Sequence, residues 1–211
     1  MVDLMNTFCG IFSAENAQQG LSLLKDKEGT MVAAPCVTIV DDPLREEGYA
    51  TCPFDAEGVA AYKKTVVEAG KLMTLLHNRK TAAKAGVKST GNASKASYAA
   101  PVKVAPTNFY MEPGDISFDA LVEKLGKGLI ITDVAGLHSG ANAVSGDFSQ
   151  LCSGFLVEDG KKGRAVKQIT VAGNFLKLLE SIEAIADDLK FPSNPIGCPS
   201  VLVKGMSIAG K

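Results

Sequence analysis

The chain has 211 residues, of which 46% are hydrophobic and 21% are charged, a balance typical of a globular protein rather than a disordered one. The formal net charge of -1 gives no electrostatic basis for binding nucleic acid or an anionic membrane surface. No apolar run reaches the roughly 20 residues of a membrane helix, and no basic segment at the N-terminus leads into an apolar one. We therefore expect a cytoplasmic protein.

The cysteines argue against a disulfide framework and against a zinc knuckle. They are odd in number, widely spaced and free of any CxxC pair. We expect most of them to be reduced thiols that pack as small apolar residues. The five are Cys9, Cys36, Cys52, Cys152 and Cys198.

The first half of the chain predicts a weak helix and then short strands. Asn78 is a suitable cap for a helix that the glycine at position 86 would end. Small polar residues at 88–100 predict an exposed loop. The predicted elements are a helix and linker over 1–30, a strand over 31–40, a hairpin of strands 61–68 and 71–76, and a helix over 79–85.

The second half predicts an antiparallel meander between two helices. The Asp159-Gly160 pair is typical of a tight hairpin turn between two of its strands. Prolines at 101 and 106 limit the segment 102–110 to an edge strand at most. The other predicted elements are a helix over 118–125 capped by Ser117, strands around 129–131, 155–157 and 166–171, a long helix from Asn174 to Leu189, and a final strand over 200–208. Together these elements favour an α+β fold with a mainly antiparallel or mixed sheet.

The loop between the first two meander strands is a candidate binding site. It is polar, it contains three glycines, and its one carboxylate, Asp147, lies beside Gly146, where a backbone can approach a ligand closely. Such a loop on a rigid sheet suits an extended chain or a small polar group. The alternative from these residues alone is a long hairpin loop without a binding role.

Several short motifs occur in a fixed order along the chain. They are Val40-Asp41-Asp42-Pro43, Pro53-Phe54-Asp55-Ala56-Glu57-Gly58, Gly86-Val87-Lys88-Ser89-Thr90-Gly91, Ser145-Gly146-Asp147-Phe148-Ser149, Ser153 to Gly160, Ile169 to Asn174, and Cys198 followed by Met206 to Gly210. This ordered set resembles the TldD/PmbA family, described as modulators of DNA gyrase and as a peptide-processing metalloprotease system. The resemblance implies a partial N-terminal helix and linker at 1–34 and a TldD/PmbA C-terminal domain at 35–211.

The resemblance also implies where a metal would bind in this family. The zinc-bearing subunit carries His-Glu-x-x-x-His on a helix and a cysteine near the C-terminus, so that two imidazoles and a thiolate face one ion. The two histidines correspond to Met5 and Gly10 here, and the glutamate corresponds to Asn6. Only Cys198 matches a ligand position. We therefore expect no catalytic residues and no cofactor in this chain, with zinc in a partner subunit.

Other residues allow alternative readings. His138 lies in the glycine-rich loop and is a candidate for substrate contact, whereas His77 is interpreted as structural. Cys198 or Asp147 would serve a metal-independent hydrolase, although an inert thiol is the simpler reading of Cys198. Asp41 and Asp42 are either an acid pair or turn-capping carboxylates. A homodimeric binding module is the remaining alternative.

The favoured reading is a PmbA (TldE)-like subunit that assists proteolysis without performing it. By resemblance, such a subunit pairs with a zinc-bearing TldD-like subunit, or with itself, and shapes a chamber that admits unfolded or extended peptides. The residues predicted to contact the peptide are His138, Ser145, Gly146, Asp147 and Phe148.

Overall fold

The computed structural model describes residues 1–210, with the side chains of Leu137 and His138 outside the described part. The helices are α1 (Val2–Phe8), α2 (Ala14–Gln18), α3 (Arg79–Ala85), α4 (Phe118–Leu125), α5 (Leu137–Gly140) and α6 (Phe175–Glu180), with a 3-10 helix at Cys9–Phe12. The strands are β1 (Ile39–Asp41), β2 (Lys64–Glu68), β3 (Lys71–Leu72), β4 (Ala93–Ser94), β5 (Lys103–Val104), β6 (Phe109–Met111), β7 (Gly128–Ala135), β8 (Asp147–Glu158), β9 (Lys161–Asn174), β10 (Ile182–Ile185), β11 (Ile196–Gly197), β12 (Val201–Val203) and β13 (Ser207–Ala209). No helix in residues 1–210 is long and apolar enough to cross a membrane.

The first of two larger sheets has five short strands in the order β11-β6-β1-β2-β3. Its pairings are antiparallel except for the parallel pair of β11 with β6. The central strand β1 is buried along its whole length, as expected of a strand covered on both faces. The predicted α+β fold with a mixed sheet is confirmed.

The second larger sheet is antiparallel and has the order β13-β9-β8-β7. It contains the predicted meander, and the turn between β8 and β9 lies at Asp159 and Gly160, with φ angles of 50° and 69°. Positive φ at both turn residues is the conformation that Asp-Gly favours in a two-residue hairpin. The predicted turn is therefore confirmed in position and in chemistry.

Helix α1 joins the second sheet to the core. The ring of Phe8 stacks on Phe175 with 4.7 Å between centroids and lies 6.3 Å from the ring of Phe148 on β8. Buried residues from both sides of the predicted boundary after residue 34 belong to one hydrophobic cluster. The boundary itself stays a prediction.

The predicted long helix from Asn174 to Leu189 is wrong. Helix α6 ends at Glu180 and strand β10 follows almost at once, pairing with β12. Ile182 and Ala184 are buried on either side of exposed Glu183, which is the alternation of a strand. Because the apolar residues here fit both a helical and a strand period, tertiary pairing decided the outcome.

Three strand predictions also need correction. Strand β6 is an interior strand between β1 and β11 rather than an edge, because both prolines precede the short paired segment. The predicted strand over 31–40 is reduced to Ile39–Asp41. The predicted final strand is two strands in different sheets, separated by Gly205 with φ of 77°.

Candidate functional site

The structure brings together the positions that the resemblance relates to metal binding. Helix α1 carries Met5 and Asn6, and the 3-10 helix that follows carries Gly10. Cys198 comes directly after β11, which contacts α1. The Met5 side chain is fully buried and Cys198 is 4% exposed, both in one apolar cluster.

These residues do not fit a zinc ion. The buried Met5 offers a thioether, and Asn6 is exposed. Burial raises the pKa of the Cys198 thiol to about 12, with the N-terminal ammonium opposing the rise, so that the sulfur stays protonated. Zinc requires several deprotonated or imidazole donors around one point, and no group of three His, Cys, Asp or Glu residues that could hold a metal occurs in the part of the chain that the structure describes.

The packing around Gly10 adds a steric obstacle. The side-chain amide of Asn16 donates to the Gly10 carbonyl oxygen at 2.8 Å. A Cβ atom at position 10 would lie 3.3 Å from the same Asn16 nitrogen, so that the Asn16 side chain would have to shift by a few tenths of an ångström. The backbone at position 10 thus takes part in a local hydrogen bond that supports the turn into α2.

The glycine-rich loop is held by a compact set of hydrogen bonds. Asn174 Nδ2 donates to the Ser145 carbonyl oxygen at 2.8 Å and to Asp147 Oδ1 at 2.9 Å. The hydrogen bond from Asn174, with a second from Ser145, lowers the pKa of the exposed Asp147 carboxyl. A carboxylate that is held ionised by these local bonds suits loop anchoring better than proton transfer or nucleophilic attack.

The predicted peptide-contacting residues divide between surface and interior. Phe148 is 5% exposed and packs on Phe8, and Gly146 is buried with φ of 79° against Leu23 and Asn174. Ser145 is half-buried and Asp147 is exposed. The backbone of His138 lies in α5, but its side chain is outside the described part. The peptide-binding role stays a prediction, and of the four residues whose burial is described only Ser145 and Asp147 are accessible to solvent.

The two free edges of the four-stranded sheet differ in charge. Among residues 1–210, strand β7 pairs only with β8, and its sequence GLIITDVA has one charged residue, Asp133. At the other edge, the described part of β13 pairs with positions 170–172 of β9. The uncovered part of β9 carries Lys161, Lys162, Arg164 and Lys167. Lysines along an edge oppose pairing with another strand, so β7 is the edge better suited to receive one.

A buried polar network, which sequence reasoning did not anticipate, surrounds Asp41. The carboxylate is fully buried and accepts hydrogen bonds from Lys64 Nζ at 3.0 Å and Asn92 Nδ2 at 2.7 Å. Thr107 donates both its amide and its hydroxyl to the other carboxylate oxygen. Asp42 instead accepts from the Leu44 amide, as a turn-capping carboxylate does. Asp41 and Asp42 therefore do not act as an acid pair.

Asn92 and Thr107 of this network line a cleft of about 290 Å³, together with Cys52 and Phe54. Burial and the charge of Asp41 raise the pKa of the Cys52 thiol, which leaves it a poor nucleophile. The polar atoms of Asp41 and Asn92 already have hydrogen-bond partners within the protein. We therefore interpret the Asp41 network as structural support for the five-stranded sheet.

Comparison with known proteins gives consistent matches. The family model described as the PmbA/TldA metallopeptidase C-terminal domain matches residues 1–210. A metalloprotease from Methanothermobacter thermautotrophicus is 36% identical over 82% of this chain and 37% of its own length. Metalloprotease PmbA of Escherichia coli O157:H7 is 31% identical over 99% of this chain and 43% of its own length.

A solved structure agrees with these sequence matches. The crystal structure of a protein from Thermotoga maritima, described as a modulator of a DNA gyrase, superposes with a TM-score of 0.92 at 43% identity, covering 99% of this chain and 47% of that one. The chain thus spans less than half the length of these relatives. With the family model matched along nearly its whole length, the chain belongs to the TldD/PmbA family of metallopeptidases, as a match to its C-terminal domain.

Proposed function

We propose that this chain acts as a PmbA (TldE)-like, non-catalytic subunit of a TldD/PmbA-type peptidase system. The observation that carries the proposal is the cluster around α1, where Met5, Asn6 and Gly10 stand at the positions related to zinc ligands and base. Cys198, the one matching ligand, is buried and protonated in the same apolar cluster as Met5. Zinc and water activation would then belong to a TldD-like partner.

The second part of the proposal is a peptide-binding role for the four-stranded sheet. An extended peptide can add to an exposed strand through main-chain hydrogen bonds, and β7 presents eight residues along a free edge without a lysine or arginine. The loop ending at Ser145 and Asp147 lies at the same end of the sheet as the close of β7. Together they would guide an unfolded chain past the partner's metal centre.

The first experiment is a pull-down and peptidase assay with a zinc-bearing TldD-like subunit. We expect the two chains to associate and cleavage of an unfolded peptide to require the zinc subunit. Purified alone, this chain should contain less than stoichiometric zinc and should not cleave peptides. Stoichiometric zinc together with chelator-sensitive cleavage by this chain alone would refute the non-catalytic assignment.

The edge-strand role has its own test in Thr132, which has no paired residue in β8. Thr132→Pro removes one main-chain donor from β7, whereas Thr132→Ala keeps it. We expect the proline variant to bind an unfolded peptide several-fold more weakly in fluorescence anisotropy, and the alanine variant to bind normally. Equal binding by two folded variants would exclude main-chain pairing at this point of β7.

A further inference from the structure

The exposed face of the four-stranded sheet contains a small pocket near the end of β7. Its volume is about 180 Å³. Its lining crosses three strands and comprises Asp133 and Ala135 of β7, Leu151, Cys152 and Ser153 of β8, and Lys167 and Gln168 of β9. This volume is below the roughly 300 Å³ at which drug-sized ligand pockets begin, so any ligand must be small.

Two β-bulges at the same level create the pocket. On one side, the pairing of β7 with β8 shifts between Ile131 and Asp133, so that Thr132 is an extra residue. On the other side, Cys152 pairs with Ile169 and Gly154 pairs with Val166, which leaves Lys167 and Gln168 opposite the single residue Ser153. Bulges re-aim side chains, and here they open the sheet on both sides of Ser153.

The bulge in β9 contains a costly backbone conformation. Gln168 has φ of 56°, in the left-handed region that glycine adopts without strain and that costs other residues free energy. Residues held in such conformations within regular elements cluster at functional sites. The conformation lies at the pocket wall and fixes the course of the chain beside Lys167.

The walls of the pocket carry opposite charges. Asp133 and Ser153 are directly paired across β7 and β8, so their side chains share one face of the sheet, with exposed Leu151 two residues away. Lys167 lines the pocket from the β9 side and is the positively charged residue of its lining. Asp133 and Lys167 are both exposed, and within residues 1–210 neither forms an ion pair.

We propose that this pocket binds a small zwitterion of the amino acid or dipeptide class. The α-ammonium group of the ligand pairs with Asp133, its carboxylate pairs with Lys167, and the Ser153 hydroxyl is available between them. A site for released amino acids or dipeptides goes beyond the proposed peptide-holding function. It uses side chains on the sheet face, whereas that function uses the main chain at the edge of β7.

The test is a ¹⁵N-NMR titration of the whole chain with glycylglycine, N-acetylglycylglycine and glycylglycine amide. We expect saturable shifts at the pocket residues with glycylglycine, with a dissociation constant on the order of 1 mM. Blocking either terminus should weaken binding about fivefold, as expected when one exposed charge pair is lost. Shifts that do not saturate, or equal affinity for all three compounds, would overturn the proposal.

Matched variants locate the site. Asp133→Asn and Lys167→Gln should each weaken glycylglycine binding about fivefold, since each removes one charge from the pocket. Asp119→Asn on α4 and Lys162→Gln on β9 change charges that are also exposed but lie outside the pocket lining, and they should leave binding unchanged. Dependence on only one of the two pocket charges would contradict the zwitterion assignment. If glycylglycine binds the pocket normally but the chain does not associate with a TldD-like subunit, the proposed subunit function is refuted and the pocket proposal stands.

Discussion

The two larger sheets of this molecule are built in opposite ways. The five-stranded sheet has short strands of two to five residues, with β1 fully buried and a satisfied polar network on Asp41. The four-stranded sheet has long strands β7, β8 and β9 of 8, 12 and 14 residues, interrupted by bulges and exposed along much of their length. Stability is therefore expected to depend on the first sheet, and ligand contacts on the second.

The largest expected effect comes from breaking the network in the five-stranded sheet. Asp41→Asn leaves the ammonium group of Lys64, whose side chain is 4% exposed, without its carboxylate. Breaking a buried ion pair from one side costs about 3–5 kcal/mol of unfolding free energy. Urea denaturation monitored by circular dichroism would measure the loss.

The neighbouring carboxylate is a matched control for that variant. Asp42 is half-buried, and within residues 1–210 its carboxylate accepts only the hydrogen bond of a turn, so Asp42→Asn should cost less than about 1 kcal/mol. Similar losses for the two variants would mean that the buried pair contributes no more than a surface turn. The expectation that stability depends mainly on the five-stranded sheet would then not be supported by its buried ion pair.

A smaller effect is expected from the residue that ties the loop to the four-stranded sheet. Asn174 Oδ1 accepts from the amides of Leu176 and Lys177 at the start of α6, and its amide nitrogen holds Ser145 and Asp147. Asn174→Ala removes the cap and should cost about 1–2 kcal/mol. Hydrogen exchange should also accelerate around residues 142–147, whereas Asn174→Asp should keep the cap and lose the loop contacts. An unchanged exchange rate in that loop would contradict the anchoring role.

A substitution at the bulge in β9 is expected to increase stability, whereas the substitutions above decrease it. Gln168→Gly relieves the positive φ angle and should stabilise the chain by about 0.5–1 kcal/mol, after the extra backbone entropy of glycine is subtracted. Gln168→Ala has a Cβ and should give no such gain. Thermal unfolding of the two variants compares them directly, and equal stability would mean that the backbone strain is absorbed elsewhere.

Local signals in the sequence predicted the turn and cap chemistry of the fold well. Asn78 and Ser117 cap their helices as expected, since each accepts a backbone amide of the first turn. The Asp41 network could not be anticipated in the same way. Its other members lie 23 to 66 positions from Asp41 in the sequence, and only the paired strands and loops of the folded chain bring them together.

For the candidate sites, too, local features could be predicted from the sequence and features that depend on the folded chain could not. Glycines, Asp147 and the ordered motifs pointed to the loop, but the sequence could not show that Phe148 faces the core while Asp147 faces solvent. Strand register decides which residues share a face, and a one-residue bulge changes it. The pocket beside Ser153 depends on two such bulges, and no residue in GLIITDVA or KKGRAVKQ signals them.

The smallest expected effect concerns the pH dependence of stability. His77 is 3% exposed, and its Nδ1 has no hydrogen-bond partner among the described residues. Burial lowers the pKa of His77, an effect that the charge of Glu28 only partly opposes. The unfolded chain, with a histidine pKa of about 6.5, therefore binds a proton more readily than the folded chain.

Because the unfolded state binds more protons, stability should fall as the pH drops below about 7 and continue to fall until the lowered pKa of His77 is reached. His77→Gln should remove this part of the slope of unfolding free energy against pH, whatever its effect on absolute stability. His138→Gln, which changes the other histidine of the chain, should retain the slope. A slope that survives in His77→Gln and disappears in His138→Gln would assign the acid sensitivity to the loop of the four-stranded sheet rather than to the buried His77.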